Sequence, residues 1–167
     1  MTEGDVQIAI YNYRRGIAPF PIILTNIYFW HWESDALYIT KSGYLHEYEI
    51  KVSHSDFLAD AKKVSKHQRL AGGSVHGPAE FYYVCPPSII AVEELPDYAG
   101  LFYTRERKGR YDDDPLQILT LDLIRRARRR PSQKIEAAKW KEFTGKAIDR
   151  YWSLRMHRYS KGAMHDS

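Results

Sequence analysis

Cysteine is nearly absent from this 167-residue chain: Cys85 stands alone, so no disulfide can form within it. That usage fits a reducing compartment. One cysteine and no close histidine pair leave no zinc-binding spacing. No apolar run approaches the roughly 20 residues of a membrane span, and the first residues lack the pattern of a secretory leader. A cytoplasmic protein is expected. The glycine-containing segment 71–78 lacks the Gly-Lys-Ser/Thr that reaches phosphates and magnesium in a Walker loop. It reads as a connector, or else as a flap over a substrate. The run Asp112-Asp113-Asp114 lacks the alternating ligands of a calcium loop, and no Ser/His/Asp arrangement for acyl transfer is visible.

What the chain does contain is ordinary apolar content (44%), 28% charged residues and a high aromatic share of 14%, with thirteen tyrosines. That balance is enough for one globular domain with a true core. Tyrosine adds apolar area with a polar tip, suited to strands and to wet surfaces. The formal net charge is +4, and the cations concentrate late, in the stretches 105–110 and 125–130. Arg125, Arg126, Arg128, Arg129 and Arg130 are therefore candidates for contact with nucleic-acid phosphates. Cations at a helix end also complement its dipole, and long basic side chains solubilise exposed faces.

The most informative pattern is a pair of short strands. Residues 33–40 and 44–52 are rich in Tyr, Ile, Leu and Val and are joined by Lys41-Ser42-Gly43. A three-residue loop ending in glycine suits a type I turn whose last residue takes positive φ. That register sets Thr40 against Tyr44, Asp35 against Glu49 and Glu33 against Lys51. Since side chains alternate faces, Glu33, Asp35, Glu49 and Lys51 would all project one way. Two like charges opposed across a ladder destabilise it, and a divalent cation bound by Asp35 and Glu49 would explain their juxtaposition. Mg2+ or Mn2+ held there would acidify a water and neutralise a phosphodiester, with Lys51 stabilising the added charge. His31 shares this face and would border the site, whereas His46 points away. The plainer alternative is a solvated hairpin with an ordinary Glu33–Lys51 ion pair.

The stretch from Glu33 to Lys63, ESDALYITKSGYLHEYEIKVSHSDFLADAKK, resembles the core of the PD-(D/E)XK nuclease superfamily, nearest its branch of MmcB-like DNA-repair and related phage proteins. The likeness continues through Phe81-Tyr82-Tyr83-Val84-Cys85-Pro86 and the segment 95–101, covering most of residues 1–105. By position, Asp35 matches the first motif acid, Glu49 the second and Lys51 the motif lysine, while Ser34 replaces the name-giving proline. Some members use a further acid from the first helix, for which Glu3 is the candidate. The resemblance implies a restriction-endonuclease-like α/β core and metal-dependent cleavage of DNA by Asp35, Glu49 and Lys51, with Glu33 beside them.

Around this hairpin the expected order is a helix over 3–15, a strand over 22–28, the hairpin, a helix over about 55–70 capped by Ser53, and strands at 81–85 and 100–104. Phe57, Ala61 and Val64 would form the apolar face of the second helix; the resemblance sets this helix beside the active-site hairpin, which implies phosphate contact by Lys62 or Lys66, the alternative being a solvated face. This is a mixed sheet flanked by helices, with residues 1–110 as the nuclease-like core. Residues 111–167 form a basic helical extension. It contains a short helix marked by Leu116, Leu119, Leu123 and Ala127, then a longer stripe of Trp140, Phe143, Ala147, Tyr151 and Leu154. That stripe would pack on the core or pair two copies of the chain. Three functions compete: a Mg2+- or Mn2+-dependent nuclease or DNA-repair factor, a non-catalytic nucleic-acid-binding module, and a protein-interaction module.

Overall fold

A computed structural model describes residues 1–107 and 118–162. The first helix, α1 (Glu3–Ile17), opens on a reciprocal cap. The Thr2 hydroxyl accepts the Asp5 amide, and the Asp5 carboxylate accepts the Thr2 amide at 2.6 Å. The strands β1 (Ile22–Phe29), β2 (Trp32–Ile39) and β3 (Leu45–Ile50) then run as an antiparallel meander. Helices α2 (His54–Ala61) and α3 (Val64–Ala71) lead to β4 (Glu80–Cys85). A short 3-10 turn at Val92–Glu94 precedes β5 (Ala99–Arg107), and β6 (Ile118–Arg125) follows. The sheet order is β1-β2-β3-β4-β5-β6, with β3, β4 and β5 parallel and β6 antiparallel to β5. The fold is therefore a mixed α/β sheet flanked by helices, as the sequence indicates.

Each face of the sheet carries its own core. On one, Val6, Ala9 and Ile10 of α1 cover Ala36, Tyr38, Tyr48, Tyr82, Phe102 and Leu121. On the other, Phe57 of α2 and Leu70 of α3 cover Phe81, Tyr83, Cys85 and Leu101. Each fully buried Leu or Phe here contributes about 2 kcal/mol of apolar transfer. Strand β4 is buried on both faces, as its apolar run predicts. Cys85 is a small core hydrophobe whose thiol burial pushes up to about 12. Gly100 is required by close approach: a Cβ there would lie 2.4 Å from the Tyr82 ring and 2.6 Å from the Ala127 amide.

Three expectations need correction. The segment around Leu119 and Leu123 is not a helix but strand β6, and Leu119, Leu121 and Leu123 all join the core beneath α1. Leucines four apart fit a helical stripe, but Leu121 between them gives the two-residue period that won. Leu116 and the Asp112–Asp114 run lie outside the described residues. Because β6 completes the sheet, the first compact unit extends through Lys134, not to residue 110, and the second comprises Ile135–Ser167. Finally, the helix expected over 55–70 is two helices broken at Lys62 and Lys63, where Lys63 leaves the helical region at φ −75°, ψ 66°. Ala61 and Val64 are consequently exposed, and the core positions are Phe57 and Leu70.

The second unit, taken alone, is the helix α4 (Ala137–Gly162), with Glu142 bridged to Lys139 and Lys146, each at 2.8 Å. Among the described residues no helix is long and apolar enough to cross a membrane.

Candidate functional site

The β2–β3 turn forms as its sequence dictates. Gly43 has φ 83°, the Thr40 amide donates to Tyr44 at 2.8 Å, and the ladder runs in the expected register from Ile39↔Leu45 to Ala36↔Tyr48. There it stops. One residue further, the Ile50 amide donates 2.7 Å to Asp35 Oδ2, and the Lys51 amide turns to Val84 of β4. The two strands thus splay apart, with the Asp35 carboxylate accepting a bond that a strand carbonyl would otherwise take. Leu37 pairs with Glu47, so the period of two sets Asp35, Glu47 and Glu49 on the same side of the sheet. The expected Glu33–Lys51 pair does not form. Glu33 is exposed and opposite Tyr28 of β1, while Lys51 follows β3 away from β2.

Behind Asp35 lies a buried cluster of charges. Lys51 Nζ is 2.8 Å from Glu49 Oε1, 3.6 Å from Asp56 and 3.8 Å from Asp60. Lys66 Nζ is 2.6 Å from Glu49 Oε2, 3.3 Å from Glu47 Oε1 and 3.9 Å from Asp60. Lys63 adds a third ammonium, 2.9 Å from Asp60. Trp32 Nε1 donates to Glu47 at 2.9 Å, and Tyr83 Oη donates to Asp60 Oδ2 at 2.9 Å, where His67 also approaches to 3.2 Å. The helix break makes this possible. On one continuous helix, Asp60 and Lys66 would point about 120° apart. With the chain re-aimed at Lys62–Lys63, both face the carboxylates of β3.

The electrostatics follow from burial. The Asp35 carboxyl is pushed up to about 7, first by burial and then by repulsion from Glu49, against the Ile50 amide and Lys51. Burial likewise raises Glu47, despite Lys66. At Asp60 burial works in the same direction, but His67, Lys66 and Lys51 outweigh it and hold the carboxyl below its ordinary range. For Lys66, burial opposes the charge, yet Glu47, Glu49 and Asp60 prevail and raise its pKa. Glu47, Glu49 and Asp60 are thus matched by Lys51, Lys63 and Lys66. Asp56, nearer the surface, also faces Lys51, whereas Asp35 makes no ion pair among the described residues.

Among the described residues no group of three or more His, Cys, Asp or Glu is arranged to hold a metal ion. The lysines explain this, because both oxygens of Glu49 already face an ammonium. Asp35 and Glu49 are the two carboxylates that would hold a hard cation, were one bound. Both are oxygen donors, they repel each other, and one of them lacks a counter-charge. The helix α1 contributes as well. Glu3 accepts from Asn26 at 2.6 Å and from Gln7, which also donates to the Asp35 carbonyl, and the Glu3 charge adds to the upward push on Asp35. His31 is exposed in the β1–β2 turn at φ 80°.

The candidate phosphate-binding residues divide. Lys62, Arg126, Arg128 and Arg129 line the surface, each at least partly open to solvent. Lys66 is 2% exposed and committed to Glu49 and Glu47, so it is not a free surface cation. Arg125 donates to the carbonyls of Ala99, Val92 and Pro96, and Arg130 to those of Pro78, Arg69 and Ser74. Both pin loops together, and Arg130 ties down the segment 71–78, which favours a connector over a flap. Sequence reasoning missed Glu47, Asp60 and Lys63. Glu47 had a signal, since it alternates with Glu49 and Lys51. The other two depend on a helix break that no Gly or Pro marks.

Fold and site together define a mixed α/β protein with a buried carboxylate–ammonium centre at the splayed ends of β2 and β3. No family model matches the chain, and no curated protein matches it. The chain is similar in structure to a protein of unknown function from Silicibacter pomeroyi, with a TM-score of 0.60 and 18% identity over 88% of this chain and 86% of that one. At that identity the likeness is one of fold.

Proposed function

We propose that the chain is a metal-dependent phosphodiester hydrolase acting on DNA, a nuclease or DNA-repair factor of the cytoplasm. The observation that carries this reading is the Asp35–Glu49 pair: two carboxylates on neighbouring strands, one pushed up to about 7 by burial and by repulsion from the other, beside a buried ammonium. Asp35 and Glu49 would hold the Mg2+ or Mn2+, which would supply an acidified water and positive charge against the phosphate. Lys51, itself buried, fixes the orientation of Glu49 and in this reading lends its positive charge to the site. Glu33 stands exposed near the start of β2, two residues before Asp35. The surface cations Lys62, Arg126, Arg128 and Arg129 support binding of the DNA backbone. Exposed Trp140, Tyr151 and Leu154 on α4 support pairing of two copies.

Incubation with duplex, nicked and flapped DNA in Mg2+ or Mn2+ tests the proposal. Cleavage is expected, and Asp35→Asn and Lys51→Met are each expected to slow it roughly 10²–10³-fold. Undiminished cleavage in both variants rejects the assignment. One observation favours a second reading, a nucleic-acid-binding module without catalysis: Glu49 already has an ammonium at each oxygen. Salt-dependent DNA binding with no cleavage in any divalent metal selects it.

A further inference from the structure

A groove of about 420 Å3 lies between α2, α3 and the segment 94–98. Phe57, Leu58, Ala61, Ala71 and Pro96 form its apolar wall, together with the rings of Tyr83, Tyr98 and His67. It is buried at Phe57, Tyr83 and Tyr98 and opens to solvent at Leu58, 49% exposed, and at Ala61. Each polar side chain on this wall already has a partner within the protein. Tyr83 Oη donates to Asp60 Oδ2 at 2.9 Å. His67 Nε2 donates to the Asp60 carbonyl at 2.9 Å, which leaves Nδ1 of the neutral ring to take the Tyr98 hydroxyl at 2.5 Å. Burial raises the Tyr98 pKa and keeps that hydroxyl protonated. Glu94, at the rim, accepts from the Ala91 amide at 2.8 Å and from His54 Nε2 at 2.6 Å.

We propose that this groove is a binding site for a neutral, ring-built apolar small molecule. A wall whose polar groups are satisfied internally has little to offer a ligand's own, so a charged ligand would lose its water without compensation. Apolar fit is what remains. An apolar cavity of about 150 Å3 already holds benzene, and a groove of about 420 Å3 has room for two or three rings. The site also shares a wall with the charged centre. Tyr83 and His67 both line the groove and both hold Asp60, the partner of Lys51, Lys63 and Lys66. A ligand resting on these two rings restrains Asp60 and favours the folded chain by mass action. The site stands independently of the nuclease reading, because no metal or DNA enters the argument.

Fluorescence titration with N-phenyl-1-naphthylamine, a neutral three-ring probe that brightens in apolar surroundings, tests the site. One probe per chain is expected to bind. Leu58→Glu and Ala61→Glu change exposed positions, so the fold is kept while a carboxylate enters the mouth of the groove. Each is expected to weaken binding at least about tenfold. No saturable binding in wild type, or unchanged affinity in either folded variant, overturns the proposal. Competition against the probe tests the ligand class. 1-Methylnaphthalene is expected to compete at least about tenfold better than 1-naphthoate or protonated 1-naphthylmethylamine. A charged analogue that binds as tightly as the neutral one overturns it. The 15N signals of the His67 ring, assigned by their loss in His67→Gln, are expected to shift when the probe binds, and signals that stay in place put the probe elsewhere. A dimer in sedimentation that Leu58→Glu dissociates would make the groove an interface between copies, which overturns the proposal as well.

Discussion

The carboxylate of Asp35 accepts the backbone amide of Ile50 at 2.7 Å, just beyond the last ladder pair between β2 and β3. That bond fixes an acid in the gap between two separating strands. It leaves Asp35 half-buried, close enough to Glu49 to be repelled by it, and protonated up to about pH 7 in the folded protein. The proton-binding behaviour of the site follows from this geometry.

Metal-free stability is expected to respond to Asp35 in a defined direction. The folded protein keeps this proton up to about 7 while the unfolded chain releases it near 3.8, so the group's contribution falls as pH rises between those values. Asp35→Asn keeps an oxygen for the Ile50 amide and removes the charge. Urea unfolding at pH 8 without metal should show the variant more stable by roughly 1–3 kcal/mol, with the gap closing towards pH 4.

Cation binding must expel that proton. Mn2+ affinity is expected to be nearly flat above pH 7 and to weaken about tenfold per pH unit below it, over the range where Asp35 is protonated. Isothermal titration at several pH values reads this directly. Affinity that does not change between pH 5.5 and 8 would separate Asp35 from the metal.

Asp60 carries the opposite sign. Its carboxyl is held below the ordinary 3.8, so it stabilises the fold above that pH and the benefit is lost as acid titrates it. Asp60→Asn deprives Lys51, Lys63 and Lys66 of a shared partner. A loss of roughly 3–5 kcal/mol is expected at pH 7, as when one member of a buried charge network is removed. Unfolding curves at pH 7 and pH 3 should show that cost shrinking in acid.

The arginines between 125 and 130 should separate by role. Arg130 is 7% exposed and donates to the carbonyls of Arg69 in α3 and of Ser74 and Pro78 in the following loop, so Arg130→Lys is expected to cost roughly 2–4 kcal/mol of stability. Replacing the surface residues Arg126, Arg128 and Arg129 by alanine together should leave stability nearly unchanged. DNA affinity should fall, and the slope of log K against log salt should flatten by about 0.9 for each phosphate that the protein no longer neutralises. Fluorescence anisotropy across a salt series measures both.

The β2–β3 hairpin shows how far the sequence reaches. Gly43 at the end of a three-residue loop sets the register, and register alone puts Asp35, Glu47 and Glu49 on one face. Local rules suffice because turn chemistry and strand alternation act within a few residues. The Glu33–Lys51 pair fails because the β2–β3 ladder ends at Ala36↔Tyr48, where Asp35 takes the Ile50 amide, and because Lys51 is drawn instead to Glu49 and to Asp56 and Asp60 of α2. The helix expected around Leu119 and Leu123 gives way to β6 because leucines four apart satisfy both periods until β5 supplies the partner edge.

By itself, then, the sequence determined the hairpin, its register and the shared side of its acids, since those depend on neighbours along the backbone. Only the tertiary structure decided which charges meet. Lys66 looks like a surface residue in a basic helix, and Asp60 like a solvated acid beside it. Packing α2 and α3 separately against β3 and β4 buries both, and desolvation then forces each ammonium onto a carboxylate. Burial is a property of the whole fold, which is why the ion-paired centre becomes legible only once the helices are docked on the sheet.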